Sequence, residues 1–277
     1  MALFVHDQIQ FHYREAGSGL PFFFQHGLGA DISQPFSLFR PAPSVRLIAF
    51  DARGHGQTHP LGPPEKLGLT TSANDALALM DHLQIRQAVV GGISMGAAIA
   101  LNFVLRYPER VAGLVLSRLA WLDAPNPWNV KMFSLLSQLI RDHGLEKGKQ
   151  VFLVTADYQK TLRQWPDVAA SLAAQFDYPH VAESAIKFKR IINDTPSRDR
   201  REWSNIKVPT LVLANRRDPV HLYEYGEILA ELIPHAALRE LTPKSVSLEQ
   251  HNADVQRHLN DFFQTHLAAS LNRLHPS

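Results

Sequence analysis

Apolar and polar residues in the first 120 positions follow two patterns, one typical of strands and the other of helices. Residues 2–15 alternate around the polar pair Asp7 and Gln8, which predicts two antiparallel strands. Short apolar runs that predict buried strands cover residues 21–25, 45–50, 88–91 and 111–116, and apolar residues at helical spacing cover residues 71–83 and 95–107. This succession of strands and helices predicts a mostly parallel sheet with helices on both faces.

The pattern changes over residues 121–201, where helical spacing dominates and only residues 151–154 could form a strand. Strand-like runs return at residues 208–214 and 237–241, and helical spacing returns at residues 225–233 and 252–267. We therefore predict one domain with a helical lid inserted into its core. The first half of the core comprises residues 1–120, the lid residues 121–201, and the second half of the core residues 202–277.

Composition and charge narrow the class of protein. The chain has 277 residues, 45% of them hydrophobic, which is enough for one large core. Its formal net charge is only +2 and its charges are interleaved, so we expect neither nucleic acid nor a membrane surface as a partner. The sequence contains no cysteine, no secretory signal and no apolar run long enough to span a bilayer. We expect a soluble cytoplasmic protein, monomeric or homodimeric, that acts on a small molecule.

One serine lies where an apolar run meets a helical segment. Gly92-Ile93-Ser94-Met95-Gly96 fits the pattern G-x-S-x-G, between a predicted buried strand and a predicted helix. Glycines on both sides allow the chain to turn sharply and expose the serine hydroxyl at the edge of the sheet. The alternative is that Ser94 only caps the helix that follows, a position where serine is common.

Three further segments accompany this motif in a fixed order. They are His26 to Gly29 after the first buried strand, Asp51 to Thr58 after the next, and Pro209 to Asp218 after the lid. With the serine motif they resemble the α/β-hydrolase superfamily, and more closely its esterase-like branch, from about Phe11 to Leu267. The resemblance implies a mostly parallel eight-stranded sheet flanked by helices, with a helical lid and no cofactor.

The resemblance also implies a role for each matching position. Ser94 would be the nucleophile and Asp218 the acid that supports the base. The backbone N–H groups of Leu28 and Met95 would form the oxyanion hole, and Gly27 would line the site. Asp51, Arg53, His26 and His55 would be structural, as braces of their loops.

The base is where this sequence departs from the family pattern. The family places a histidine after the last strand, several residues before a Leu-Glu pair, and here that alignment puts Lys244 in the slot ahead of Leu248-Glu249. His251 is the only histidine between the last predicted strand and the last helix, and it could swing over Ser94. Alternatively, desolvation could make Lys244 the base, or the serine could lack an efficient base altogether.

These positions predict a serine hydrolase that cleaves a carboxylic ester of a small, largely apolar substrate through an acyl-enzyme intermediate. Trp121, just after the fourth buried run, is a candidate for lining the pocket under the lid. A lactonase, a carbon–carbon bond hydrolase or a cofactor-free perhydrolase shares this fold, and so could a ligand-binding protein with an incomplete triad. The histidines show no metal-binding spacing, which disfavours a metal-dependent enzyme.

Overall fold

Eight strands form a single sheet in a computed structural model that describes the backbone of residues 2–274 and the side chains of residues 2–266. The strands are β1 (Ala2–His6), β2 (Ile9–Gly17), β3 (Leu20–Gln25), β4 (Val45–Phe50), β5 (Ala88–Ile93), β6 (Val111–Ser117), β7 (Thr210–Ala214) and β8 (Ala236–Glu240). Their order across the sheet is β1-β2-β4-β3-β5-β6-β7-β8, and every pair from β4 to β8 is parallel. The predicted sheet is confirmed, as is the antiparallel β1–β2 pair.

Ten α-helices accompany the sheet within the described backbone. They are α1 (Ser33–Leu38), α2 (Leu69–His82), α3 (Met95–Arg106), α4 (Lys131–Val154), α5 (Ala156–Gln164), α6 (Pro166–Ala173), α7 (Val181–Ser184), α8 (Ile186–Ile192), α9 (Tyr223–Leu232) and α10 (Leu248–Leu274). Helices α4 to α8 lie between β6 and β7, and residues 151–154 belong to α4 rather than to a strand. No helix of the described chain is both long and apolar enough to cross a membrane. Met1 and residues 275–277, the ends of the predicted core, lie outside the described residues.

The central strands are apolar at consecutive positions because both faces of the sheet are covered. In β3, Phe23 packs into the cluster that contains α2 and α3, whereas Phe22 and Phe24 pack into the cluster that contains α10. All six residues of β5 are buried for the same reason. Because β3, β5, β6 and β7 are parallel, their carboxyl ends lie at one edge of the sheet, where the loops that follow them come together.

A buried ion pair fixes the loop after β4. Arg53 Nε and Nη2 donate to the two carboxylate oxygens of Asp75 at 2.7 Å each, and Arg53 Nη1 donates to Asp7 at 3.0 Å. Asp51 accepts from the backbone N–H groups of Ile32 and Gln57 at 2.8 and 2.9 Å. These contacts match the bracing role expected for Asp51 and Arg53.

Removal of the Asp75 carboxylate should destabilise the fold strongly. The side chains of Arg53 and Asp75 are only 2% and 1% exposed, so Asp75→Ala leaves a buried guanidinium whose remaining partner is the half-buried Asp7. We expect a loss of about 3 kcal/mol of unfolding free energy in urea titrations. Asp81→Ala is the matched control: Asp81 is 61% exposed in its pair with Arg110, and we expect a loss below about 1 kcal/mol. Equal losses in the two variants would contradict this assignment.

Candidate active site

Ser94 lies at a sharp corner between β5 and α3, in a conformation that L-residues rarely adopt. Its φ and ψ are 56° and −110°. Ser94 occupies the N-cap position of α3, as the helix-cap alternative expects, but its hydroxyl makes no capping hydrogen bond. A Cβ atom at Gly92 would lie 2.2 Å from the carbonyl carbon of Gly96, and one at Gly96 would lie 2.1 Å from the carbonyl oxygen of Gln25. Both flanking glycines are therefore required by the close approach of the backbone, as the motif predicted.

The loop after β3 passes directly beside this serine. A Cβ atom at Gly27 would lie 3.5 Å from Ser94 Cβ, and the N–H of Gly27 donates to Gln34 Oε1 at 2.8 Å. No hydrogen bond from the backbone N–H of Leu28 or Met95 is present among the described residues. The two side chains are buried, so only the backbone of these residues could serve a ligand. Unpaired N–H groups beside a serine are what an oxyanion hole needs.

Two buried histidines hold that loop in place. His26 Nδ1 donates to the carbonyl of Gly27 at 2.8 Å while its Nε2 accepts from the N–H of Ala52 at 3.1 Å. His55 Nε2 lies 2.9 Å from the carbonyl oxygen of Leu28. Burial lowers the pKa of both rings. The two imidazoles thus connect the β3 loop to the β4 loop, which is the structural role expected for them.

Asp218 follows β7 and is buried against Arg118 and His221. Its Oδ2 lies 2.9 Å from Nδ1 of His221 and accepts from Nη2 and Nε of Arg118 at 2.8 and 3.1 Å. Its Oδ1 accepts from the backbone N–H groups of Val220 and His221 at 3.1 Å each. Burial opposes ionisation, but His221 and Arg118 outweigh it and hold the pKa of Asp218 well below its usual range. Asp218 is therefore a carboxylate at neutral pH.

His221 is the histidine that the structure pairs with this carboxylate, and the sequence interpretation missed it. It lies three residues after Asp218 in the same turn, is buried, and lines one cavity together with Ser94. Burial lowers the pKa of His221, against the attraction of Asp218, so its neutral form prevails at neutral pH. The available signal was the spacing Asp-x-x-His after the strand, which brings both side chains to one side of a turn.

The structure does not give His251 the contacts that the sequence interpretation assigned to it. Its Nδ1 lies 2.8 Å from the carbonyl oxygen of Thr242, and it is absent from the lining of the cavity around Ser94. Helix α10 already begins at Leu248, so His251 belongs to a helix rather than to a loop that could swing. Burial lowers the pKa of His251 to about 4. The assignment of His251 as the partner of Asp218 is corrected: that partner is His221.

Lys244 lies where the alignment with the family pattern put it, in the cavity with Ser94. It makes no hydrogen bond or ion pair within the part of the chain that the structure describes. The charge of Arg118, together with burial, lowers the pKa of Lys244 to about 8. The cavity therefore holds a cationic side chain that can lose its proton near pH 8.

The cavity that contains Ser94 has a volume of about 200 Å³ and lies beneath the inserted helices. It adjoins a second cavity of about 530 Å³, and the two share the residues Phe133, Val168, Leu172, Asp218 and Val220. Gly27 lines the smaller cavity, as expected. Trp121 lines neither cavity: it is buried in the core with its indole Nε1 unpaired, so the prediction that it lines the pocket is not met.

The lining is less apolar than the sequence indicated. Apolar side chains come from α4 and α6, but Arg118, Asp167 and Lys244 also face the smaller cavity. Within residues 2–266, the one group of three histidine or acidic side chains close enough to share a metal ion lies outside this cavity. The chemistry that this cavity offers is therefore that of Ser94 and His221, flanked by two carboxylates and two cationic side chains.

Comparison with known proteins finds hydrolases of similar sequence and fold. The chain is 29% identical over 237 residues to a 3-oxoadipate enol-lactonase of Acinetobacter baylyi, covering 83% of this chain and 84% of that protein. It is 33% identical over 150 residues to a 2-hydroxy-6-oxo-6-phenylhexa-2,4-dienoate hydrolase of Burkholderia cepacia, covering 52% of each. Its fold matches the crystal structure of an enol-lactonase from Burkholderia xenovorans with a TM-score of 0.73 and 24% identity, covering 95% of this chain and 100% of that one. Residues 21–245 match the family described as the alpha/beta hydrolase fold, so the chain belongs to this family.

Proposed function

We propose that the protein hydrolyses a carboxylic ester, open-chain or lactone, through an acyl-enzyme formed on Ser94. The observation that carries this proposal is the backbone at Ser94, where φ is 56° and the unpaired N–H groups of Leu28 and Met95 accompany the hydroxyl. Strain of this kind is retained at functional sites because the surrounding structure stabilises it. A purely structural serine in this position would need neither the strain nor the free donors.

His221 serves as the base in this proposal. Ser94 Oγ attacks the carbonyl carbon while neutral His221 takes the hydroxyl proton, and the carbonyl oxygen becomes an oxyanion at the Leu28 and Met95 N–H groups. The C–O bond then breaks, His221 returns the proton to the departing alcohol, and Ser94 holds the acyl group. Water repeats the sequence on the acyl-enzyme and releases the acid. Asp218, 2.9 Å from His221 Nδ1, orients the ring and stabilises its charged form.

Arg118 contacts both Asp218 and His221 and should weaken the support that Asp218 gives to His221. Its guanidinium shares Asp218 with His221 and lies 3.2 Å from His221 Nδ1, so it weakens the stabilisation of a protonated ring. We therefore expect a modest rate compared with a triad whose carboxylate serves histidine alone. The same feature favours a second candidate function, ligand binding without turnover. A carboxylate whose charge Arg118 already compensates stabilises a protonated histidine poorly.

The size and lining of the cavity support a small acyl group. About 200 Å³ beside Ser94 admits a short chain or a five-membered ring, and Phe133, Val168 and Leu172 offer it an apolar wall. The likeness to an enol-lactonase, whose substrate is a cyclic ester, supports lactones as well as open-chain esters. Arg118 and Lys244 face the same space, so esters that carry a negative charge belong in the first substrate panel.

A fluorophosphonate probe separates hydrolysis from binding alone. An activated serine forms a covalent adduct with it, and we expect one adduct per chain, located on Ser94 by peptide mass spectrometry. Ser94→Ala should remain unlabelled, and heat-denatured protein is the control for non-specific reaction. Absence of an adduct, together with no turnover of p-nitrophenyl acetate or γ-lactones, would leave ligand binding as the function.

The pH dependence of kcat/KM distinguishes His221 from Lys244 as the base. A base works only when unprotonated, so activity is lost as the pH falls through its pKa. The pKa of His221 lies below its ordinary value near 6.5, because burial outweighs Asp218 while Arg118 and Lys244 add to the lowering, so we expect the acid limb below pH 6.5. Were Lys244 the base, the limb would lie near its pKa of about 8 and vanish in Lys244→Met.

A further inference from the structure

A second group of chemically capable side chains lies outside the cavity of Ser94. His59, in the loop after β4, faces His180 and Glu183, which lie at the start of α7 in the inserted helices. One ligand atom from each of the three side chains lies within 4.8 Å of the others, and the two imidazole centroids are 4.3 Å apart. None of the three residues lines either cavity described above. The group therefore stands apart from the proposed reaction.

The backbone at the start of α7 puts two of these side chains on one face. His180 has a φ of 59°, and its carbonyl accepts from the N–H groups of Glu183 and Ser184 at 3.2 and 3.0 Å. That turn fixes the spacing of His180 and Glu183, whose Nδ1 and Oε2 atoms are 4.0 Å apart. Both side chains are exposed, so small rotamer changes can bring their ligand atoms closer.

His59 supplies the unsatisfied atom of the group. Its Nε2 is buried and has no hydrogen-bond partner among the side chains and backbone that the structure describes, which is unfavourable for an imidazole nitrogen. A cation coordinated at Nε2 would satisfy that atom directly.

We propose that His59, His180 and Glu183 form a binding site for a divalent transition-metal ion of the Zn²⁺ type. Two imidazoles and one carboxylate suit Zn²⁺, whereas Ca²⁺ and Mg²⁺ prefer sites made of oxygen alone. Metal–ligand distances of about 2.0–2.2 Å require the three ligand atoms to move together from their present separations, and water completes the coordination. No catalytic step depends on this ion.

Such an ion would connect the inserted helices to the loop that supports the oxyanion region. Lys187 on α8 already donates to the carbonyl of Gly54 at 2.6 Å, and a Cβ atom at Gly54 would lie 3.4 Å from Ser184 Cβ. His55 of the same loop contacts the carbonyl of Leu28. The metal would add a coordinate link across this contact, so it should stabilise the folded protein, since it binds the native state preferentially.

Calorimetric titration of the full-length, tag-free, chelator-treated protein with ZnCl₂ tests the proposal. We expect saturable binding of one Zn²⁺ per chain and a rise in melting temperature, with MgCl₂ and CaCl₂ causing neither. His180→Ala and Glu183→Gln should each weaken Zn²⁺ affinity by at least about tenfold, because each removes one ligand. These two residues are exposed, so both variants should fold.

His143→Ala is the matched control, because His143 is an exposed histidine on α4, outside the group. It should bind Zn²⁺ like the unaltered protein. Unchanged affinity in His180→Ala, a loss in His143→Ala equal to that in His180→Ala, or no saturable binding at all would each overturn the proposal. The readout is independent of ester hydrolysis, so failure of the Ser94 mechanism would leave it standing.

Discussion

Replacement of Ser94 by alanine should lower kcat for short p-nitrophenyl esters by at least about 10⁴-fold, because no acyl-enzyme can form without the hydroxyl. The fold should survive. Ser94 Oγ makes no capping hydrogen bond, and the N–H of Ser94 donates to the carbonyl of Ser117 at 2.9 Å in either variant. We therefore expect the melting temperature to change by no more than about 2 °C, corresponding to a few tenths of a kcal/mol. Steady-state kinetics and differential scanning calorimetry measure the two quantities.

Ser171→Ala is the control for this experiment, because Ser171 lines the same cavity from α6 and loses the same hydroxyl group. Its turnover should stay within a few fold of the unaltered protein. A Ser94→Ala variant that keeps near-normal turnover would remove the nucleophile assignment. A variant that unfolds would show instead that the hydroxyl has a structural role, which the lack of a capping hydrogen bond from it argues against.

The sheet was predictable because its determinants are local. Strands covered on both faces need continuous apolar runs, and the segments that form β3 to β6 show them in the sequence, separated by helical spacing over α2 and α3. Residues 151–154 gave a short apolar run that suits a strand as well as a helix. They form the end of α4, whose helical backbone is interrupted at Gly144, and their helical conformation depends on packing against other inserted helices.

Parts of the site are likewise determined by residues that are close together in the sequence. The steric need for glycine on both sides of Ser94 is a property of five consecutive residues, and the structure shows the close approaches that cause it. The position of Lys244 also followed from the chain, since α10 begins at Leu248 and thus keeps the spacing between the β8 loop and the last helix. Both features depend on residues that are close together in the sequence, and a sequence motif describes such residues directly.

The electrostatics of the site could not be predicted in this way. Arg118 follows β6 and pairs with Asp218, one hundred positions later, because β6 and β7 are neighbours in the sheet. That contact places a guanidinium in a cavity expected to be apolar, and it competes with the histidine for Asp218. The partner of Asp218 depends on the conformation of the turn that follows β7, which places His221 at the carboxylate. His251 lies instead at the carbonyl of Thr242.

Replacement of His221 by glutamine should lower kcat by about 10²–10⁴-fold while KM changes little, because the amide can retain a contact with Asp218 but cannot take a proton from Ser94. A base that acts through proton transfer also predicts rescue: added imidazole should restore part of the activity to His221→Ala and none to Ser94→Ala. Steady-state kinetics with increasing imidazole concentration measures this, and a merely structural histidine would show no such recovery.

His251→Gln provides the opposing comparison. His251 is buried and its Nδ1 lies 2.8 Å from the carbonyl oxygen of Thr242, so its replacement should lower the melting temperature through lost packing and a weakened hydrogen bond. Its kcat should stay within several fold, since the ring takes no part in lining the cavity. The reverse pattern, in which His251→Gln abolishes turnover and His221→Gln is nearly normal, would identify His251 on α10 as the base. It would also mean that β8 and α10 rearrange when substrate binds, because only such a movement could bring that ring to Ser94.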